Sequence, residues 1–307
     1  MIARLRSLVA DPSVRWLAGA RVISLLAAPL SLYLLVTRQP LSARGFYLIA
    51  INVVALAQVF ETGMGTLVVQ FATRVRPSER GTLRGAAERW FTRAAVVSLA
   101  IGGTVGTYVL AIGATSASVN FLVPWAVVLA CTAIYIRLVP LICLREGGGA
   151  ADGVQRMRAA QAAMIAAATL FGLWTGRGIS AAAWAAVAQL TAAGAFLFSE
   201  RRQLPGADAP TGRLATQYRT EQVRSGRVWI ALWIAPQLLT PAVMFLRGAP
   251  EAGEIGLHVA LALAPPVLSV AWMHARYPRL GKLVASGALR TFDDTARHAF
   301  VQAMWVF

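Results

Sequence analysis

The chain carries apolar residues in blocks of about 20, and that pattern limits what it can become more than any other feature. About twenty apolar residues wound as a helix rise about 30 Å, the thickness of a bilayer's hydrocarbon core. We read eight such blocks, at 17–36, 46–70, 94–115, 120–143, 159–175, 180–199, 228–246 and 254–275. A ninth opens near His298 and reaches Phe307. That stub is too short to span, so a truncated ninth helix is expected. Within hydrocarbon every backbone N–H and C=O needs an internal partner, which only helices and closed barrels supply. Barrel strands alternate apolar and polar residues. Val22–Val36 and Val119–Val128 show no alternation, so helices are expected. The fold class is therefore an all-α integral membrane bundle.

Charge placement orients it. Only 14% of the 307 residues are charged, yet the formal net charge is +16. A basic excess of that size first suggests nucleic acid. However, 23 of the 29 Lys and Arg fall in alternate connections, at 1–16, 71–93, 144–158, 200–227 and 276–297, and 4 fall in the intervening ones. This asymmetry is the positive-inside pattern. It places the N-terminus in the cytoplasm and removes the reason to invoke nucleic acid. The first block is too long for a signal-peptide core, so it is read as a retained span. Cys131 and Cys143 lie twelve residues apart on one expected helix, about 18 Å of rise and beyond disulfide reach. We read them as packing residues, and no metal-type Cys/His cluster is present.

Two connections have character of their own. Leu83, Ala86, Ala87 and Trp90 within Arg74–Arg93 are spaced as on an amphipathic helix lying on the cytoplasmic face. Residues 201–227 hold Pro205, Gly206, Pro210 and Gly212 and read as a linker. It separates a six-helix N-lobe, 1–200, from an incomplete C-lobe, 228–307. A faint repeat crosses that boundary, about 210 residues apart: Pro40 through Gly45, and Pro250 through Gly253, each a proline, a short polar loop and a glycine opening a helix. Duplicated halves are a common plan for transporters.

Charges inside expected spans need a reason, because each costs about 2.5–3.5 kcal/mol at a helix centre. Arg21, Arg137 and Glu61 qualify, all in cytoplasmic halves. Guanidinium groups match phosphate oxygens in bidentate fashion. We therefore expect Arg21 and Arg137 to line an inward-facing cavity for a pyrophosphate, with Glu61 pairing Arg21 when the site is empty. Gln58, Glu61 and Gly65 share a helix face by i, i+3, i+7 spacing, and Asn52 lies further along the same helix. These complete the candidate set, while Gln161 and Gln189 are further polar groups in spans. Snorkelling to the interface is the simple alternative for the arginines. No Walker-type phosphate loop or other enzymatic motif is present, so no enzyme activity and no cofactor are expected.

The stretch Leu41–Phe71, with Ser42-Ala43-Arg44-Gly45-Phe46-Tyr47 and Phe60-Glu61-Thr62-Gly63-Met64-Gly65-Thr66, resembles the second helix of polysaccharide flippases of the multidrug/oligosaccharidyl-lipid/polysaccharide exporter superfamily. Gly253–Leu280, ending Tyr277-Pro278-Arg279-Leu280, resembles their eighth helix and its exit. The resemblance implies transport of undecaprenyl-pyrophosphate-linked oligosaccharide, an O-antigen or exopolysaccharide unit, from the cytoplasmic to the outer leaflet of a bacterial inner membrane. The implied partners are that lipid-linked glycan, the membrane lipid, and the pathway's glycosyltransferases and polymerase. Two departures qualify it: the family has more helices than are read here, and Leu261–Pro265 lacks the arginine typical of lipid II flippases. The second favours the O-antigen and exopolysaccharide branch. The alternatives are a cation-coupled drug or metabolite antiporter of the same superfamily, a membrane glycosyltransferase, and a transport-incompetent remnant.

Overall fold

The structure, a computed structural model, describes residues 12–114, 120–274, 280, 283 and 287–304, and among them every regular element is helical. The chain gathers into two compact units, 1–256 and 257–307. In the first, α1 (Pro12–Arg38) is followed by α2 (Leu41–Val59), a π turn (Phe60–Met64) and α3 (Gly65–Arg74). Next come a 3₁₀ turn (Pro77–Glu79), α4 (Arg80–Ile101), a second π turn (Gly102–Gly106) and α5 (Thr107–Ala114). Then follow α6 (Leu122–Gly147), α7 (Ala151–Trp174), α8 (Gly178–Glu200) and α9 (Gly212–Arg247). α10 (Ala249–His274) starts in the first unit and continues into the second, which ends with α11 (Leu289–Met304).

Among the described residues, four helical stretches are long and apolar enough to cross a membrane: Gly19–Arg38, Pro77–Ala114, Leu122–Gly147 and Gly178–Gln203. A shorter apolar helix covers Leu41–Ala57. The second expected block is interrupted by the π turn that carries Glu61. The fifth lies in the alanine-rich α7, which starts before it and holds Arg156 and Arg158 ahead of the block. The outer surface is apolar where these helices face outward: Val22, Leu26 and Tyr33 on α1 and Val123 on α6 are more than half exposed. Patches of that kind are rare on water-soluble monomers and suit lipid.

The interior is built by close approach of small residues. Ala181, Ala182 and Ala185 of α8 are fully buried. A Cβ on Gly172 of α7 would lie 2.5 Å from the Ala181 Cβ, so α7 and α8 touch nearly backbone to backbone. Gly102 and Gly106 do the same across α6, where added carbons would meet Leu129 at 2.3 Å and Trp125 at 2.6 Å. Trp125 then donates its indole N–H to Gly102 O and to Thr107 Oγ1. Around Phe60, Met64, Leu83, Phe91, Ile136 and Val139 the helices enclose a continuous apolar core.

Three expectations about connections are corrected. The amphipathic stretch before Arg93 is not a separate surface helix. No proline or turn lies between Pro77 and the apolar block, so one helical rod runs from Pro77 to Ala114, its polar start burying Leu83, Ala87 and Phe91. The connection expected at 144–158 is only a turn at Gly148–Ala150, with Gly149 at φ +111°, and α7 begins at Ala151. Likewise α9 begins at Gly212, inside the expected linker, leaving Leu204–Thr211 as the non-helical part. That segment lies along α4. Asp208 N–H donates to Gly81 O and Arg84 Nη1 to Pro205 O, while Cβ atoms on Gly81 and Gly85 would run into Asp208.

The two stretches read as a repeat meet. A Cβ on Gly45 would lie 2.8 Å from Ala249 O, and one on Gly253 would lie 2.8 Å from Leu41 O. The contact is reciprocal, as in an interface between duplicated elements. Beside it, Gln39 is buried and ties two turns together: its amide donates to Leu173 O and accepts from Gly178 N–H.

Candidate functional site

The π turn Phe60–Met64 inserts one residue into the rod formed by α2 and α3, the local irregularity often found at working sites. Glycines at 63 and 65 let it lie close to its neighbours, because carbons there would meet the Trp229 ring at 2.6 Å and Cys143 Sγ at 2.7 Å. The turn aims Glu61 inward, and only 6% of that residue is exposed.

Glu61 meets a group from each of two helices. Tyr135 of α6 donates its hydroxyl to Glu61 Oε2 at 2.5 Å and accepts from Gln161 Nε2 of α7 at 3.2 Å. Arg158 of α7 donates through Nε to Glu61 Oε1 at 2.6 Å. The remaining edge of the same guanidinium is bidentate to Glu146 at the end of α6, at 2.9 and 2.8 Å. Gln155 donates to Glu146 Oε1 at 3.0 Å. Arg158 thus bridges two carboxylates, a geometry that the planar five-donor fork permits and an ammonium does not.

Arg21 of α1 stands at the edge of this cluster, half-buried and in electrostatic reach of both Arg158 and Glu61. Among the described residues it makes no ion pair of its own. Arg158 and two carboxylates therefore share one site, with each of the three guanidinium nitrogens of Arg158 bonded to an acid. An anion could meet the Arg158 guanidinium only by displacing one of these carboxylates.

No hydrogen bond or ion pair joins Arg21 to Glu61 among the described residues, although Arg21 is within electrostatic influence of Glu61. The partner expected for Glu61 was Arg21, and the residue actually bonded to it is Arg158. Arg137 lies on the outward face of α6 near Ile134, exposed and, among the described residues, without an ion pair, two residues and so about half a turn from the inward Tyr135. Asn52 is half-buried on α2, nine residues or about 13 Å of helix from Glu61. The side chain of Gln58 lies outside the described residues. Arg158 was missed because 144–158 was read as a connection. Gly147-Gly148-Gly149 followed by the i, i+4 pair Asp152 and Arg156 was the available signal of a turn and a new helix start.

No protein-family model matches the chain, and no curated protein matches it. Among solved structures, the chain is similar to a MOP superfamily transporter from Pyrococcus furiosus Vc1 (DSM3638), whose description states that the reverse polarity of its binding pocket suggests a different function. The likeness covers 95% of this chain and 75% of that one, with a TM-score of 0.53 at 13% sequence identity. The chain shares that transporter's fold.

Proposed function

We propose that the chain is a membrane transporter whose substrate is a phosphorylated lipid-linked glycan, an undecaprenyl-pyrophosphate oligosaccharide of the O-antigen or exopolysaccharide kind. It would move that lipid from the cytoplasmic to the outer leaflet of a bacterial inner membrane. The observation that carries this reading is Arg158, shared between Glu61 and Glu146 in the helical interior, with Arg21, which makes no ion pair among the described residues, in electrostatic reach. A pyrophosphate presents several acceptor oxygens, and two guanidinium groups with seven or more donors suit it. The remote fold likeness supports transport as the activity class.

In the cycle we envisage, the carboxylates occupy Arg158 while the site is empty. The substrate displaces Glu61, rocking of the lobes carries the site to the other face, and Glu61 returns to Arg158 as the lipid leaves. Eight spans with the N-terminus in the cytoplasm belong to this proposal, and reporter fusions at successive connections test them.

A cation-coupled antiporter is the second reading. The setting of Glu61, a buried carboxylate with a hydroxyl and an amide beside it, is also what a proton or cation site needs. A strain lacking its own flippase separates the two. Expression of the chain should restore surface glycan and clear lipid-linked repeat units from the inside, and Arg158→Gln at normal membrane level should do neither. Restoration of drug efflux without any effect on glycan favours the antiporter.

A further inference from the structure

α9 is longer than a span. Its 36 residues rise about 54 Å against about 30 Å of hydrocarbon. On the eight-span reading proposed above, on which this inference rests, the apolar run 228–246 makes the crossing, which puts the first part of the helix, 212–227, beyond the hydrocarbon at one end. On it runs a shallow surface groove lined by Arg219, Thr220, Val223, Arg224, Arg227 and Val228 among others. All six are exposed, and none of the three arginines makes an ion pair among the described residues.

Their depth is informative. Headgroup layers occupy roughly 5–7 Å on each side of the hydrocarbon. Arg227 directly precedes the apolar run and Arg224 lies one turn, about 5 Å, further out. Both guanidinium groups therefore fall at phosphate level. Val228 and Val223 continue the apolar surface of the span into the same groove, 56% and 39% exposed. The one acid on this part of the helix, Glu221, is half-buried rather than exposed. The groove offers cations at headgroup depth, an apolar floor beneath them, and no competing carboxylate in its lining.

We infer that this groove is a binding site for an anionic membrane phospholipid, its phosphate held by Arg224 and Arg227 with Arg219 behind them, and its glycerol and upper acyl chain lying on Val223 and Val228. Membrane-adjacent arginines are drawn to anionic leaflets in general. The groove makes the attraction local and stoichiometric. The inference does not depend on which substrate the Arg158 site takes.

Native mass spectrometry of the full chain in detergent, with equal amounts of phosphatidylglycerol and phosphatidylcholine added, tests it. The wild-type chain should retain phosphatidylglycerol preferentially. Arg224→Gln with Arg227→Gln should reduce that adduct about tenfold, while Arg38→Gln, an exposed cation elsewhere, should leave it unchanged. Equal retention of the two lipids by the wild type overturns the inference, and so does an undiminished adduct in the double variant. Retention of an added polyprenyl diphosphate in place of phosphatidylglycerol also overturns it, in favour of a substrate track.

Discussion

Arg158 Nε lies 2.6 Å from Glu61 Oε1, joining residues 97 positions apart and making α7 and the π turn of the second rod one electrostatic unit. Since Arg158 also neutralises Glu146, its loss leaves two acids without their partner in a largely dry interior. Breaking such a pair on one side costs about 3–5 kcal/mol. Arg158→Gln should lower the thermal unfolding midpoint markedly. Adding Glu61→Gln to it should recover part of the loss, because one of the stranded charges is then gone. Thermal unfolding of the two single variants and the double variant in one detergent reads both effects.

Tyr135 is fully buried, and its hydroxyl holds the second oxygen of Glu61. A hydrogen bond to a charged group contributes about 1.5–3 kcal/mol. Tyr135→Phe should destabilise the chain by an amount in that range, and it should also free Glu61 to be displaced more easily from Arg158. Calorimetry with a double-variant cycle against Gln161→Leu checks whether the two act together. Gln161 donates to the Tyr135 hydroxyl, so their effects should not add.

The helical class and the apolar blocks were legible in the sequence, and the small residues that let helices approach closely are there to be read as well. They rest on local pattern and on residue size. Glu61 was legible as a charge in the interior because an ionised group in an apolar run needs a partner. The identity of that partner was not. Whether Arg158 belongs to a connection or to a helix turns on where α7 starts, and helix starts are set by a three-glycine turn and first-turn side chains rather than by hydrophobicity. Arg137 misled for a related reason. Depth along a helix can be counted from a sequence, but the outward or inward face at position 137 depends on which neighbours α6 meets. The π turns were equally hidden, because an inserted residue leaves composition unchanged.

Gly253 carries no side chain against Leu41 O, and Gly45 none against Ala249 O. A methyl group at either place must push two helix starts apart. Overpacking of this kind costs about 1–3 kcal/mol. Gly253→Ala should reduce stability by that amount and make a cysteine placed at Ala249, which is fully buried, reactive toward a water-soluble maleimide. Labelling rates with and without Gly253→Ala measure it.

The segment before α9 is held on α4 by Asp208 and Pro205, and Gly85 leaves room for the Asp208 carbonyl, 2.1 Å from where a Cβ would stand. Gly85→Ala should lift the segment off and expose Arg201, Arg202 and Arg213 to trypsin. Cleavage there should rise about tenfold, the equivalent of about 1.4 kcal/mol of lost docking, while cleavage elsewhere stays constant.

The central claim is that Arg158 and Arg21 form an anion site for which Glu61 is the resident competitor. Equilibrium binding of a polyprenyl diphosphate to the purified chain, compared across Glu61→Gln, Arg158→Gln and the wild type, tests it most directly. Glu61→Gln should bind more tightly than wild type, because the competing carboxylate is gone, and Arg158→Gln should bind at least tenfold more weakly. Wild-type affinity in Arg158→Gln, or weaker binding in Glu61→Gln, would contradict the account and leave the cluster as a structural tie between helices.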